Sequence, residues 1–169
     1  MEKLWSPWRS NYISSFKDKK EDDNSCVFCE APKEDIKNDD CLIVYKGKNV
    51  FIMLNLYPYN NGHLMMIPYR HISDYTLLTK EELAEIMELN NYAIKALNNI
   101  MKPHGFNFGA NIGKAAGAGI HEHLHFHLVP RWSGDTNFMP ALGDVKIISH
   151  DLLETKKEII AALAELGLK

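Results

Sequence analysis

The chain has 169 residues, 46% hydrophobic and 24% charged, with a formal net charge of −3 at pH 7. This suits one domain over residues 1–169 with a sizeable core, and the small negative charge offers no general attraction to nucleic acid or an anionic membrane, so an anionic ligand needs a local site. No run of about 18 apolar residues is present, and Met1-Glu2-Lys3-Leu4-Trp5 lacks an apolar signal core, so a cytoplasmic location is the expectation.

Taken in order, the chain first sets Trp5 and Trp8 beside Arg9. Aromatics near a terminus gain little unless they dock, either as a lid on the core or against a partner subunit or ligand. Residues 17–24 are polar without periodicity and read as an exposed loop. Cys26-Val27-Phe28-Cys29 is a Cys-x-x-Cys pair, with Cys41 the third cysteine. In a reducing compartment such a pair suggests metal or redox chemistry before a structural disulfide.

Residues 41–45 and 50–54 are rich in β-formers, and Lys46-Gly47-Lys48-Asn49 between them has turn chemistry, which predicts a hairpin. Asn61-Gly62 marks a turn before a third strand over 63–68. Thr79 with Glu82 forms a capping box that opens a helix. Leu83, Ile86, Met87, Asn90, Ile94, Leu97 and Met101 recur at helical spacing, and Pro103 and Gly105 end the pattern. Residues 106–112 predict a fourth strand. The loop over 113–119 is rich in small residues, which let backbone N–H groups approach an anion closely. A fifth strand follows, then an irregular stretch over 133–145, and a second amphipathic helix from Asp151 to Leu166, capped by Ser149 or Asp151. Five strands joined mostly by hairpins, with two helices, indicate an α+β fold on a five-stranded antiparallel sheet.

The fifth strand carries the densest chemistry. His121, His123, His125 and His127 occupy every second position, with Leu124, Phe126 and Leu128 between them. In an extended strand alternate side chains share a face, so the histidines line one side and the apolar residues enter the core. Pro130, which lacks a ladder donor, ends the pattern. Two chemistries suit the row and are compatible: His-x-His can place two imidazoles on one metal ion, and an imidazole can act as a nucleophile with its neighbours orienting it.

His123-Leu124-His125-Phe126-His127-Leu128-Val129, followed by Pro130-Arg131, resembles the histidine triad (HIT) family. The blocks at residues 4–9, 54–63 and 103–107 resemble its bacterial diadenosine tetraphosphate phosphorylase-like branch. The resemblance implies a HIT-like fold that pairs as a homodimer with a continuous sheet. It also implies cleavage of a dinucleoside polyphosphate through a covalent nucleotidyl-histidine. The middle triad histidine falls on His125 as nucleophile. His127 is the third member, binding the transferred phosphate, and His123 is the first. His63 matches the family's upstream histidine beside the phosphates, Asn55 its ribose contact, and Asn111 and Gly113 its Asn-x-Gly strand end. Lys114 and Gly119 lie in the adjoining small-residue loop, where an anion would be held. Hydrolase branches carry Gly-Gln-Ser/Thr shortly before the triad. Here Gly117-Ala118-Gly119-Ile120 stands in that region with one extra residue. The missing glutamine favours phosphate over water as acceptor. A HIT hydrolase releasing AMP, a non-catalytic nucleotide-binding module and a redox protein using Cys26 and Cys29 are the alternatives. Zinc-containing relatives further imply a zinc site on Cys26, Cys29, His71 and His123.

Overall fold

The structure is a computed structural model that describes residues 26–135 and 150–168. The expectations for Trp5, Trp8, residues 17–24 and Ser149 fall outside these residues, as does most of 133–145.

A short helix α1 (Val27–Glu30) carries Cys29 and is entered from Cys26. Strands β1 (Ile43–Lys46), β2 (Val50–Leu54) and β3 (Leu64–Pro68) follow. Helix α2 (Lys80–Met101) leads to β4 (Gly105–Gly109) and β5 (Phe126–Arg131), and α3 (Leu152–Glu165) comes last. The strands form one antiparallel sheet in the order β1-β2-β3-β5-β4. This is the α+β architecture expected, with α1 as an additional turn of helix.

The capping box at the start of α2 is formed in both directions. Thr79 Oγ1 accepts from the Glu82 amide, and Glu82 accepts from the Thr79 amide. A cap of this kind is worth about 1 kcal/mol. The Glu82 carboxylate is pulled down to about 2 by its hydrogen bonds from Arg70, so it stays charged although nearly buried. Ile86, Leu89, Asn90, Ala93, Ala96 and Leu97 form the buried stripe of α2, whereas Met87 is exposed. The buried positions include two alanines, Ala93 and Ala96, whose small side chains let the helix sit close to the sheet.

The two faces of the sheet differ. Val44, Val50, Ile52, Leu54, Leu64, Met66, Phe126 and Leu128 pack under α2 and α3. Ile43, Phe51, Met65 and Ile67 point the other way, against Phe28 of α1. The second face carries the chemistry. Two strand expectations shift. β4 stops at Gly109, short of residue 112. β5 starts only at Phe126 and runs through Pro130. The proline is tolerated because the β3 pairing with β5 ends at Leu128, so one side of the strand has no ladder to feed there.

Candidate active site and metal cluster

Residues 121–125 approach β5 without ladder pairing, yet the alternation persists from His123 onward. Leu124, Phe126 and Leu128 are buried on the helix side. His127 lies opposite Met65 of β3 and Gly109 of β4, on the second face. His121 does not join the row: its Nε2 lies 3.9 Å from the Glu122 carboxylate, outside both clusters described below. The sequence alternation extends past the paired strand, and His121 lies five residues before it.

Hydrogen bonds fix the protons of the row, because each chain of bonds starts or ends at a backbone group that can only donate or only accept. The Tyr59 amide donates to His63 Nδ1 at 3.0 Å, with the Asn55 Nδ2 amide also 3.3 Å away. The proton of His63 therefore sits on Nε2, which lies 2.9 Å from His127 Nδ1. His127 then carries its own proton on Nε2, a buried atom with no partner among the described residues. His125 has the opposite arrangement. Its Nδ1 donates to the carbonyl of His123 at 2.9 Å, so Nε2 keeps a lone pair. The His125 and His127 rings are 4.8 Å apart, and Phe28 packs 4.9 Å from the His125 ring. Burial lowers the pKa of His125, and burial followed by the neighbouring His125 pushes His127 down to about 4. Both rings are neutral at pH 7. A bare imidazole nitrogen on His125 thus stands beside a ring with a buried N–H donor.

The second cluster joins distant parts of the chain. Cys26, Cys29, His71 and His123 place their ligand atoms within 4.8 Å of one another. His123 Nδ1 lies 3.3 Å from Cys26 Sγ and 3.6 Å from Cys29 Sγ, and His71 Nδ1 lies 3.3 Å from Cys29 Sγ. These separations match the edges of a tetrahedral two-sulfur, two-nitrogen site, about 3.5 Å for metal–ligand bonds of about 2.0–2.3 Å. The His123 Nε2 proton is held by the carbonyl of Pro68 at 2.9 Å, which leaves Nδ1 bare toward the sulfurs. The donor set therefore fits a metal ion. Burial, then the adjacent Cys26 thiol, raises the Cys29 pKa, the opposite of an activated redox thiolate.

The remaining expected residues surround the row. Asn55 and His63 sit on the same side as His127, joined to each other. An open cleft of about 470 Å³ runs over β4 and β5, lined by Tyr59, Asn107, Gly109, Asn111, His127 and Arg131 among others. Gly113, Lys114 and Gly119 belong to the exposed loop that follows Asn111, with one turn of 3-10 helix at Lys114–Ala116. Gly113 and Gly117 adopt φ values of 83° and 88°, which side-chain-bearing residues avoid. Tyr59, Asn60, Phe28 and Asp135 were not singled out from sequence. Only Arg131 and Asp135, opposite charges four residues apart, left a trace there.

Residues 37–134 match the HIT domain model. The chain is 42% identical over 161 residues to the AP-4-A phosphorylase of Mycobacterium tuberculosis, covering 93% of this chain and 82% of that protein. It is 31% identical over 137 residues to a HIT-like protein of Methanocaldococcus jannaschii, covering 79% of this chain and 98% of that one. Among solved structures it is similar to a Zn-bound histidine triad family protein from Mycobacterium smegmatis, with a TM-score of 0.68 and 28% identity over 85% of this chain and 96% of that one. With the histidine row, the domain match and this extent of identity together, the chain belongs to the histidine triad family and is one of its enzymes, a nucleotidyltransferase or hydrolase.

Proposed function

We propose that the protein cleaves a dinucleoside polyphosphate by transferring a nucleotidyl group to Nε2 of His125, with inorganic phosphate as the favoured second acceptor. The observation that carries this reading is the bare Nε2 of His125 next to the Nε2–H of His127. A buried neutral imidazole keeps its lone pair available at pH 7.

In the first step a bond forms between His125 Nε2 and the α-phosphorus, and the bond from that phosphorus to the bridging oxygen breaks. Its electron pair leaves with the remaining polyphosphate, which is weakly basic and needs little help from an acid. For diadenosine tetraphosphate the departing product is ATP. The His127 Nε2–H donates to an oxygen of the transferred phosphoryl group, whose developing charge must be met by fixed donors. The carbonyl of His123 holds the His125 Nδ1 proton, stabilising the ring as it becomes positive. In the second step phosphate attacks the same phosphorus, the P–N bond breaks, and ADP leaves.

Asn111, Gly113, Lys114 and Gly119 are assigned to the phosphates, where backbone N–H groups and one cation suit an anion. Asn55 is assigned to the ribose and to keeping His63 in place. The 42% identity to a phosphorylase supports phosphate as acceptor. Zinc is assigned to Cys26, Cys29, His71 and His123. It would supply a cross-link between α1 and the segment before β5, holding the His123 backbone against His125. A homodimer is assigned through β4, an edge strand whose last three residues are exposed. No described helix is long and apolar enough to cross a membrane, and the cytoplasm is the assigned compartment.

The test is incubation with diadenosine tetraphosphate with and without phosphate, followed by nucleotide separation. Phosphate-dependent ADP plus ATP supports the reading. AMP formed equally fast without phosphate makes water the acceptor and the protein a hydrolase. No turnover under either condition leaves a nucleotide-binding module.

A further inference from the structure

The proton order in the histidine row is set at His63 Nδ1, where the Tyr59 backbone amide donates at 3.0 Å and the Asn55 Nδ2 amide lies farther off at 3.3 Å. Tyr59 lies in the loop between β2 and β3, where nothing in regular secondary structure holds it. The next residue does. Asn60 is only 7% exposed. Its Nδ2 gives one proton to the carbonyl of Pro130 at 3.0 Å and the other to Asp135 Oδ2 at 2.8 Å. Its own carbonyl accepts from the His63 amide at 3.2 Å. The Asp135 side chain is 7% exposed and also accepts from Arg131 Nε at 2.6 Å, Arg131 Nη2 at 2.9 Å and the Trp132 amide at 3.2 Å. Pro130, Arg131 and Trp132 belong to or directly follow β5, the strand that carries His127. The loop holding Tyr59 is therefore bolted to the same strand as the ring whose proton it sets.

We propose that Asn60 and Asp135 are positioning residues that determine which nitrogen of His127 carries its proton. With the brace in place, Tyr59 can only donate, His63 must present Nε2–H, and His127 must present Nε2–H toward the phosphoryl group. Without it, His63 is free to carry its proton on Nδ1. Its Nε2 then accepts, His127 donates from Nδ1, and a lone pair faces the phosphate oxygens where a donor belongs. Two residues that never touch substrate thus control a donor that does. The consequence for turnover rests on the proposed role of His127; the proton order itself does not.

Ring-15N-labelled full-length protein tests this at pH 7 by long-range proton–nitrogen correlation, with His63 and His127 assigned through His63→Gln and His127→Gln. The wild type is expected to show His127 in a single Nε2–H form. Asp135→Asn keeps the side-chain volume but sets an amide against either Asn60 or Arg131; Asn60→Ala removes the brace outright. Both are expected to mix the His127 tautomers and to lower kcat about tenfold with KM changed less than about twofold. A folded variant that loses kcat while His127 stays wholly Nε2–H would reduce the brace to a structural role and overturn the proposal. A wild type with His127 protonated on Nδ1 would overturn it without any variant, even if neither variant folds. A wild type that turns over no dinucleoside polyphosphate would defeat the functional reading instead, and the tautomer comparison would still stand.

Discussion

His123 and His127 are four residues apart in one segment and carry the proton on the same nitrogen, yet they present opposite groups to their surroundings, a lone pair and an N–H. At His123 the Pro68 carbonyl takes the Nε2 proton, so Nδ1 turns a lone pair toward two sulfurs. At His127 the Nε2–H of His63 donates to Nδ1, so the ring's own proton sits on Nε2, a buried atom. His125, between them, is protonated on Nδ1 and bare on Nε2. Backbone groups thus set all three neighbouring imidazoles, His123 and His127 to Nε2–H and His125 to Nδ1–H: the Pro68 carbonyl, the His123 carbonyl and, through His63, the Tyr59 amide. Residue type alone does not assign a histidine to a metal or to catalysis. The partner on its far nitrogen does.

The largest expected effect separates His125 from its mimic in sequence, His121. His125→Ala should lower turnover by at least about 1,000-fold while the protein still folds, since the ring lies on the face opposite the helix-packed core. His121→Ala should change turnover less than about threefold. Steady-state rates and circular dichroism on the two variants decide it. Near-normal activity in His125→Ala, with loss in His121→Ala, would reverse the assignment.

A smaller effect is expected from the other cluster. Protein purified without added metal should carry about one equivalent of zinc, and Cys26→Ser with Cys29→Ser should carry less than roughly a tenth. The double variant should melt about 5–10 °C lower and turn over about 10–100-fold more slowly, because the His123 carbonyl remains but its backbone is no longer cross-linked. Metal analysis and thermal melts measure both. A metal-free wild type would leave the four residues as a hydrogen-bonded cluster only.

The smallest effect is in pH dependence. Both His125 and His127 have pKa values lowered by burial, His127 to about 4. Their neutral forms are favoured in the folded state, so the first-step rate should stay level from pH 8 down through 6.5 and decline only at more acidic pH. Stability should start to decline earlier, from about pH 6.5 down to the His127 value of about 4, because the unfolded chain takes up protons there that the folded rings refuse. Single-turnover rates across pH check this. A midpoint at 6.5 would mean that the rings titrate as exposed imidazoles.

Much of this was legible in the chain. Period-two alternation from His123 to Leu128 gave the strand faces, and Thr79 with Glu82 gave the start of α2, because both are local signals. The same local rule reached on to His121, since alternation of residue types cannot say where ladder pairing begins. The Cys-x-x-Cys pair was visible, but its meeting with His123 spans 97 residues and was implied only by family resemblance. The His63–His127 bond and the Asn60–Asp135 brace were not legible. The first joins two imidazoles 64 residues apart, and the second joins a turn to the residue four past Arg131, 75 residues away, through a side-chain amide and a carboxylate that, in sequence, look like ordinary polar loop residues.

The reading turns on Nε2 of His125 as the atom that becomes nucleotidylated. The direct measurement is rapid quench of the protein with diadenosine tetraphosphate in the absence of phosphate, followed by peptide mass spectrometry with the acid-labile linkage preserved. An adenylyl group on His125, bonded through Nε2 and discharged as ADP when phosphate is added before the quench, is the expected result. Adenylylation of a different histidine, or turnover with no covalent adduct at any quench time, would contradict it.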